Sequence, residues 1–211
     1  MTDTIPDEAF NLIVSEEDSD QAYYTRHYEH FEWPQGASGP TIGIGYDCGY
    51  VTAAEARSDW SGIVDEATIE AIVRACGLRG EAADAFVRAH GASVTITWDQ
   101  AIQEFRQREV PKWMGRCREA LPNFDLLPPL CQGAIVSLSY NRGTGGYSDP
   151  SPRDAEMRAV RAFMAAKEFS KIPAEITAMR RLWPAGGDLW RRRMHEAALF
   201  EKGLAAAAAA Q

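Results

Sequence analysis

Ser38-Gly39-Pro40-Thr41-Ile42-Gly43-Ile44-Gly45-Tyr46-Asp47-Cys48-Gly49-Tyr50 is the stretch on which the fold turns. From Thr41 to Tyr46, isoleucines alternate with glycines, the two-residue period of a strand, and the glycines permit close backbone approach. Upstream, Tyr23, Tyr24, Tyr28, Phe31 and Trp33 supply further strand positions. Residues 15–50 therefore read as a small antiparallel β-lobe with long loops.

On both sides the pattern is helical. Pro6, Asp7 and Glu8 open a first helix, which places Ala9, Phe10, Ile13 and Val14 on one face. Thr52-Ala53-Ala54-Glu55 has the form of a capping box, as does Thr97-Trp98-Asp99-Gln100, which opens a long helix to about residue 118. Between them lie helices at 65–76, stopped by Gly77, and at 81–90, stopped by Gly91. Residues 129–141 are apolar nearly all round, and a helix without a polar face belongs at the centre of a domain. Ser151-Pro152 starts the next helix, and 171–182 and 188–203 give two more. No repeat or low-complexity linker divides the chain.

The fold class is thus α+β, mostly helical, as a single domain spanning 1–211. A small β-lobe (15–50) and a larger helical lobe (1–14 and 51–203) are expected to leave a cleft between them. The tail, 204–211, is nearly all alanine and either continues the last helix or frays.

Of the 211 residues, 45% are hydrophobic and 25% charged, ordinary values for a soluble globular protein. A net charge of −8 argues against a general nucleic-acid binder, which needs a basic surface. The charge is unevenly spread. Residues 1–70 hold 15 acids against Arg26 and Arg57, a net −13, while 71–211 carry +5. MTDTIPDEAF has neither the basic nor the apolar region of a secretory signal, and no run of about 18 apolar residues offers a transmembrane segment. The expectation is a protein made in the cytoplasm and delivered by another route. Cys48, Cys76, Cys117 and Cys131 form no C-x-x-C, so they read as mostly buried free thiols, with one or two disulfides after export as the alternative.

Several chemistries drop out. There is no G-x-S-x-G, P-loop, G-x-G-x-x-G or H-E-x-x-H. His27-Tyr28-Glu29-His30 reads as surface histidines, and no metal is expected. What remains is a dense set of carboxylates around a hydroxyl: Glu16, Glu17, Asp18, Asp20, Glu29, Glu32 and Asp47, with Thr41. Glycosidic cleavage needs such a set. One carboxyl protonates the leaving oxygen, and another stays ionised to activate water or to stabilise positive charge on the sugar. Neighbouring negative charge and partial burial raise the first one's pKa. The same composition also suits a solvated acidic face.

Leu12-Ile13-Val14-Ser15-Glu16-Glu17, then Tyr24, then Thr41-Ile42-Gly43-Ile44-Gly45 resembles the phage-type lysozymes, glycoside hydrolase family 24. That family reads L-I-x-x-x-E-G, an aromatic seven residues on, then T-I-G-x-G-H. The stretch from Leu130 to Gly143 resembles its central helix, and Leu189 to Phe200 its closing helix, G-L-x-x-R-R-x-x-E-x-x-L-F. The chain departs from the pattern in three places. Asp18 follows Glu17 where the family has Gly, Tyr46 stands for His, and 21–46 contain no Asp. These departures are similar to the pesticin-like muramidase branch, where the second carboxylate follows the threonine, as Asp47 follows Thr41 here.

The resemblance implies a lysozyme-like two-lobe fold and hydrolysis of the β-1,4 bond between N-acetylmuramic acid and N-acetylglucosamine in peptidoglycan. Glu17 would be the general acid, with Glu16 as the alternative register, and Asp47 and Thr41 would position water. Tyr46, Tyr140 and Asn141 would bind substrate. Simpler roles stay open beside these: Thr41 as a strand former, Asp47 as a turn residue bonding towards Gly49, and Asn141 as a helix terminator. It further implies no metal or organic cofactor, a monomer, and glycan strands as the partner, with an immunity protein or delivery machinery according to context. A non-catalytic wall-binding domain and a lytic transglycosylase are the rival readings. The basic remainder would face the anionic wall, so wall association should weaken with salt.

Overall fold

The computed structural model describes residues 3–18 and 20–210; Met1, Thr2, Ser19 and Gln211, which belong to the expected N-terminal segment, acidic cluster and tail, lie outside them, and Asp18 is described in its backbone. The chain is mostly helical. In order, the helices are α1 (Asp7–Asp18), α2 (Gln21–His27), α3 (Ala53–Trp60), α4 (Glu66–Ala75), α5 (Glu81–His90), α6 (Trp98–Glu104), α7 (Val110–Ala120), α8 (Pro129–Arg142), α9 (Ala155–Ala166), α10 (Ile172–Ala178) and α11 (Asp188–Ala209). A two-stranded antiparallel sheet, β1 (Thr41–Ile42) and β2 (Tyr46–Asp47), lies between α2 and α3. Two compact units result: residues 14–109, and residues 1–13 with 110–211. The smaller unit thus extends well beyond the expected β-lobe of 15–50.

Local chemistry sets most helix ends. Both capping boxes form: the Thr52 and Thr97 hydroxyls accept from the backbone of Glu55 and Gln100, whose side chains reach back. Asp65 caps α4, and Gly77 follows it at φ 76°. Each such cap is worth about 1 kcal/mol.

Two expectations within 15–50 give way. Tyr23 and Tyr24 are helical, because the Asp20 side chain accepts from the Tyr23 N–H and starts α2. Tyr24 is fully buried, donates to the Ile96 carbonyl at 2.8 Å and packs edge-on to Trp98. The Thr41–Tyr46 alternation is a hairpin rather than one strand. Gly43 (φ 63°) and Gly45 (φ 69°) take left-handed conformations, and the chain reverses so that Thr41 pairs with Asp47 and Ile42 with Tyr46. Ile42, Ile44, Tyr46 and Trp60 then fill the core of this unit.

The long helix expected over 97–118 runs on to Ala120 but contains a π-helical turn, Phe105–Glu109. Pro111 lies just beyond it. Proline has no N–H for an i→i−4 bond and its ring crowds the carbonyl four residues back, so a widened turn relieves the ladder there.

In the other unit, α8 is the central helix, with Cys131 and every residue from Gly133 to Ser139 buried. α11 lies along it and extends through the alanine tail to Ala209. Glu196 (0% exposed) sits between Arg192 and Arg193 and accepts from the Ser137 hydroxyl at 2.7 Å. Cys48, Cys117 and Cys131 are buried free thiols and Cys76 is a half-buried one.

At Gly133, α8 meets α1. A Cβ there would stand 2.2 Å from the Ala9 Cβ, far inside contact distance. Gly133→Ala should therefore destabilise the protein by about 1–3 kcal/mol, since overpacking between two helices exceeds the roughly 1 kcal/mol that alanine adds in helix propensity. Urea denaturation reads the sign directly, and a more stable variant would refute this packing.

Candidate active site

Thr41 and Asp47 are directly opposed across the hairpin. On the other side of Thr41 stands Glu32, whose backbone exchanges both hydrogen bonds with it: Glu32 N–H to Thr41 O at 3.0 Å, and Thr41 N–H to Glu32 O at 2.8 Å. Directly paired residues in antiparallel strands project to the same face. Glu32, Thr41 and Asp47 thus form a row of carboxyl, hydroxyl and carboxyl across one sheet face. The motifs single out Thr41 and Asp47, whereas Glu32 is one of several clustered carboxylates in the sequence, and its register depends on a loop of eight residues.

Each member is held differently. Asp47 Oδ1 accepts from the N–H of Gly39 (2.9 Å) and of Gly49 (2.8 Å). Those glycines come so close that a Cβ on Gly39 would lie 2.2 Å from Gly49 N. Asp47 thus does fasten the turn, the simpler role open from sequence. Thr41 is 8% exposed, and its hydroxyl donates to the Gly39 carbonyl at 3.3 Å. Glu32 is half-buried, and loss of solvation pushes its carboxyl above the ordinary 4.5.

The Glu32 shift has a consequence for stability. A carboxyl that holds its proton more tightly folded than unfolded weakens the fold as pH rises from its unfolded value through its folded one. Glu32→Gln should remove that loss. Its melting temperature relative to the parent should rise between pH 4 and pH 7, and a constant difference would show that burial does not govern this group.

Glu16 and Glu17 are both half-buried in the last turn of α1. Successive helix positions diverge by about 100°, so the two carboxyls address different directions. Tyr140 and Asn141 belong to the other unit, at the end of α8. Tyr140 packs edge-on to Trp113, and Asn141 Oδ1 accepts from Arg193 Nη2 at 3.1 Å.

Tyr46 corrects its expected role in substrate binding. It is 3% exposed, its ring packs edge-on to Trp60, and its hydroxyl donates to Asp59 at 2.9 Å. Burial, then the Asp59 charge, pushes its phenol far up. One residue along a strand flips the side chain to the opposite face, so Tyr46 faces the core where Asp47 does not.

A second carboxylate group was not read from sequence. Asp59 on α3, Glu104 ending α6 and Glu109 have side-chain oxygens within 4.8 Å of one another, and the first two are buried. In an α-helix, residues five apart diverge by about 140°. The π turn between Glu104 and Glu109 aligns them instead. Pro111 was the available clue. Asp59 also accepts from the buried Tyr46 hydroxyl, which ties the group to the core of this unit.

Residues 10–111 match a family described as a domain of unknown function (DUF8812). No curated protein matches the sequence. The matched span nearly coincides with the 14–109 unit and contains Glu17, Glu32, Thr41, Asp47 and the buried carboxylate group; Tyr140 and Asn141 fall outside it.

Proposed function

We propose that the protein is a muramidase of lysozyme-like fold that hydrolyses the β-1,4 bond between N-acetylmuramic acid and N-acetylglucosamine. The observation that carries the reading is the opposed pair Thr41–Asp47, formed by the same T-I-G-x-G segment that resembles the phage-type lysozymes. Glu17 donates a proton to the glycosidic oxygen. Thr41 and Asp47 position the attacking water, with Asp47 Oδ2 as the reactive oxygen because both turn bonds fall on Oδ1. Glu32 adds a carboxyl on the far side of Thr41. In this reading no metal or organic cofactor takes part.

Such an enzyme reaches the wall through a holin or a secretion machine, as an endolysin or an antibacterial effector. Among the described residues no helix is long and apolar enough to cross a membrane.

A second reading, a wall-binding domain without hydrolysis, draws support from the near-complete burial of Thr41 and from the work Asp47 does in its turn. Purified peptidoglycan decides between them. Soluble muropeptides with reducing ends, identified by mass spectrometry, are the expected product. Anhydro ends would make the protein a lytic transglycosylase, and sedimentation with intact wall would favour the binding domain.

A further inference from the structure

At the C-terminal end of α8 the unit of residues 1–13 and 110–211 contains a cavity of about 340 Å3. Its polar lining includes Asn141, Arg142, Arg153 and Asp154, with Trp183 and Leu189 as the apolar part. The volume lies in the range of small-molecule sites.

Arg142 is its distinctive member. The side chain is 4% exposed. Nη2 pairs with Asp154 Oδ1 and donates to the Arg153 carbonyl at 3.3 Å, and the guanidinium lies 5.5 Å from the centre of the Trp183 ring. Nη1 is buried and has no hydrogen-bond partner. A buried guanidinium nitrogen without an acceptor is costly, so a ligand acceptor there is stabilising.

The neighbouring groups agree in sign. Asn141 receives Arg193 on Oδ1, so its amide nitrogen remains as a donor. Asp149, a further lining residue, turns its carboxylate to the Ser151 N–H at 2.8 Å, and Asp154 is engaged by Arg142. Arg153 stands exposed at the rim. One oxygen of each aspartate is engaged, while the Asn141 amide and the Arg153 guanidinium present donors, which favours an anion over a cation. Two nearby aspartates disfavour a doubly charged phosphate, while Trp183 and Leu189 suit an organic body.

We propose that this cavity binds a carboxylate carried on a small organic ligand. In the muramidase reading the available source is the peptide stem of peptidoglycan, and that choice of source alone rests on the reading.

Titration calorimetry of the full chain tests it with three probes: glutarate, inorganic phosphate and N-acetylmuramyl-L-alanyl-D-glutamate. Arg142→Lys keeps the charge but loses the guanidinium fork. Gly145→Glu places a competing carboxylate at the rim, where a Cβ meets nothing within 4 Å, so the fold is spared. Both variants should bind the muramyl peptide at least tenfold more weakly, with the melting temperature of Gly145→Glu unchanged. Wild-type affinity in Gly145→Glu, phosphate binding tighter than either carboxylate, or no binding of any probe would overturn the proposal. Glutarate binding without muramyl-peptide binding would keep the cavity and remove the wall as its source. Muramyl-peptide binding by a protein that leaves peptidoglycan uncut would keep the cavity and remove the muramidase.

Discussion

Glu17→Gln should reduce the release of reducing ends from peptidoglycan by about 10²–10⁴-fold, the usual worth of a positioned general acid. Glutamine keeps the shape and polarity of the side chain but has no proton to donate to the leaving oxygen. Glu16 is the internal control. It shares the last turn of α1 and the same half-burial, yet projects about 100° away, so Glu16→Gln should stay within a few-fold of the parent. Exchanged results would place the acid at Glu16, and full activity in both would remove α1 from the chemistry. Asp47→Asn completes the set. The asparagine carbonyl can still accept from Gly39 and Gly49, so the turn survives while the charge disappears. Lost turnover with retained wall binding is the expected outcome.

Glu196→Ala should have the largest effect on stability. Glu196 is 0% exposed and compensates Arg192 and Arg193, whose side chains are 2% and 0% exposed. Arg192 Nε lies 3.2 Å from Oε1 and Arg193 Nε 2.9 Å from Oε2. Removing one partner of a buried ion pair leaves charge without compensation and costs about 3–5 kcal/mol. For a chain of this size that corresponds to a melting temperature lower by roughly 6–20 °C. Glu70→Ala offers the contrast. Its ion pair with Arg57 is nearly half exposed on both sides, where such pairs are worth about 1 kcal/mol or less. Equal losses in the two variants would show that burial does not set the strength of the Glu196 group.

α-Helical spacing lets at most two of the consecutive Arg191, Arg192 and Arg193 share a partner. Arg192 and Arg193 share Glu196, while Arg191 turns to Asp188. Much of the site was similarly legible as motif but not as geometry. Thr41 and Asp47 were read six residues apart, and the hairpin makes them opposed. The resemblance implies Tyr46, in the place of the family's His, as a substrate-binding residue, and strand parity turns it into the core instead. Tyr23 and Tyr24 suit a strand by residue type, but they lie in the helix that the Asp20 cap opens.

The sequence by itself determined the capped starts of α3, α4 and α6, which helix is central, and how the thiols and acids are distributed along the chain. Those features rest on bonds and periodicities within a few residues, so nearby side chains specify them. Only the tertiary structure decided that Glu32 faces Thr41, that Asp59 joins Glu104 and Glu109, and that Arg142 lines a cavity with Trp183. Each of those meetings joins residues 9 to 50 positions apart. Their proximity follows from how loops close and how apolar faces pack, a balance that no local stretch of sequence contains.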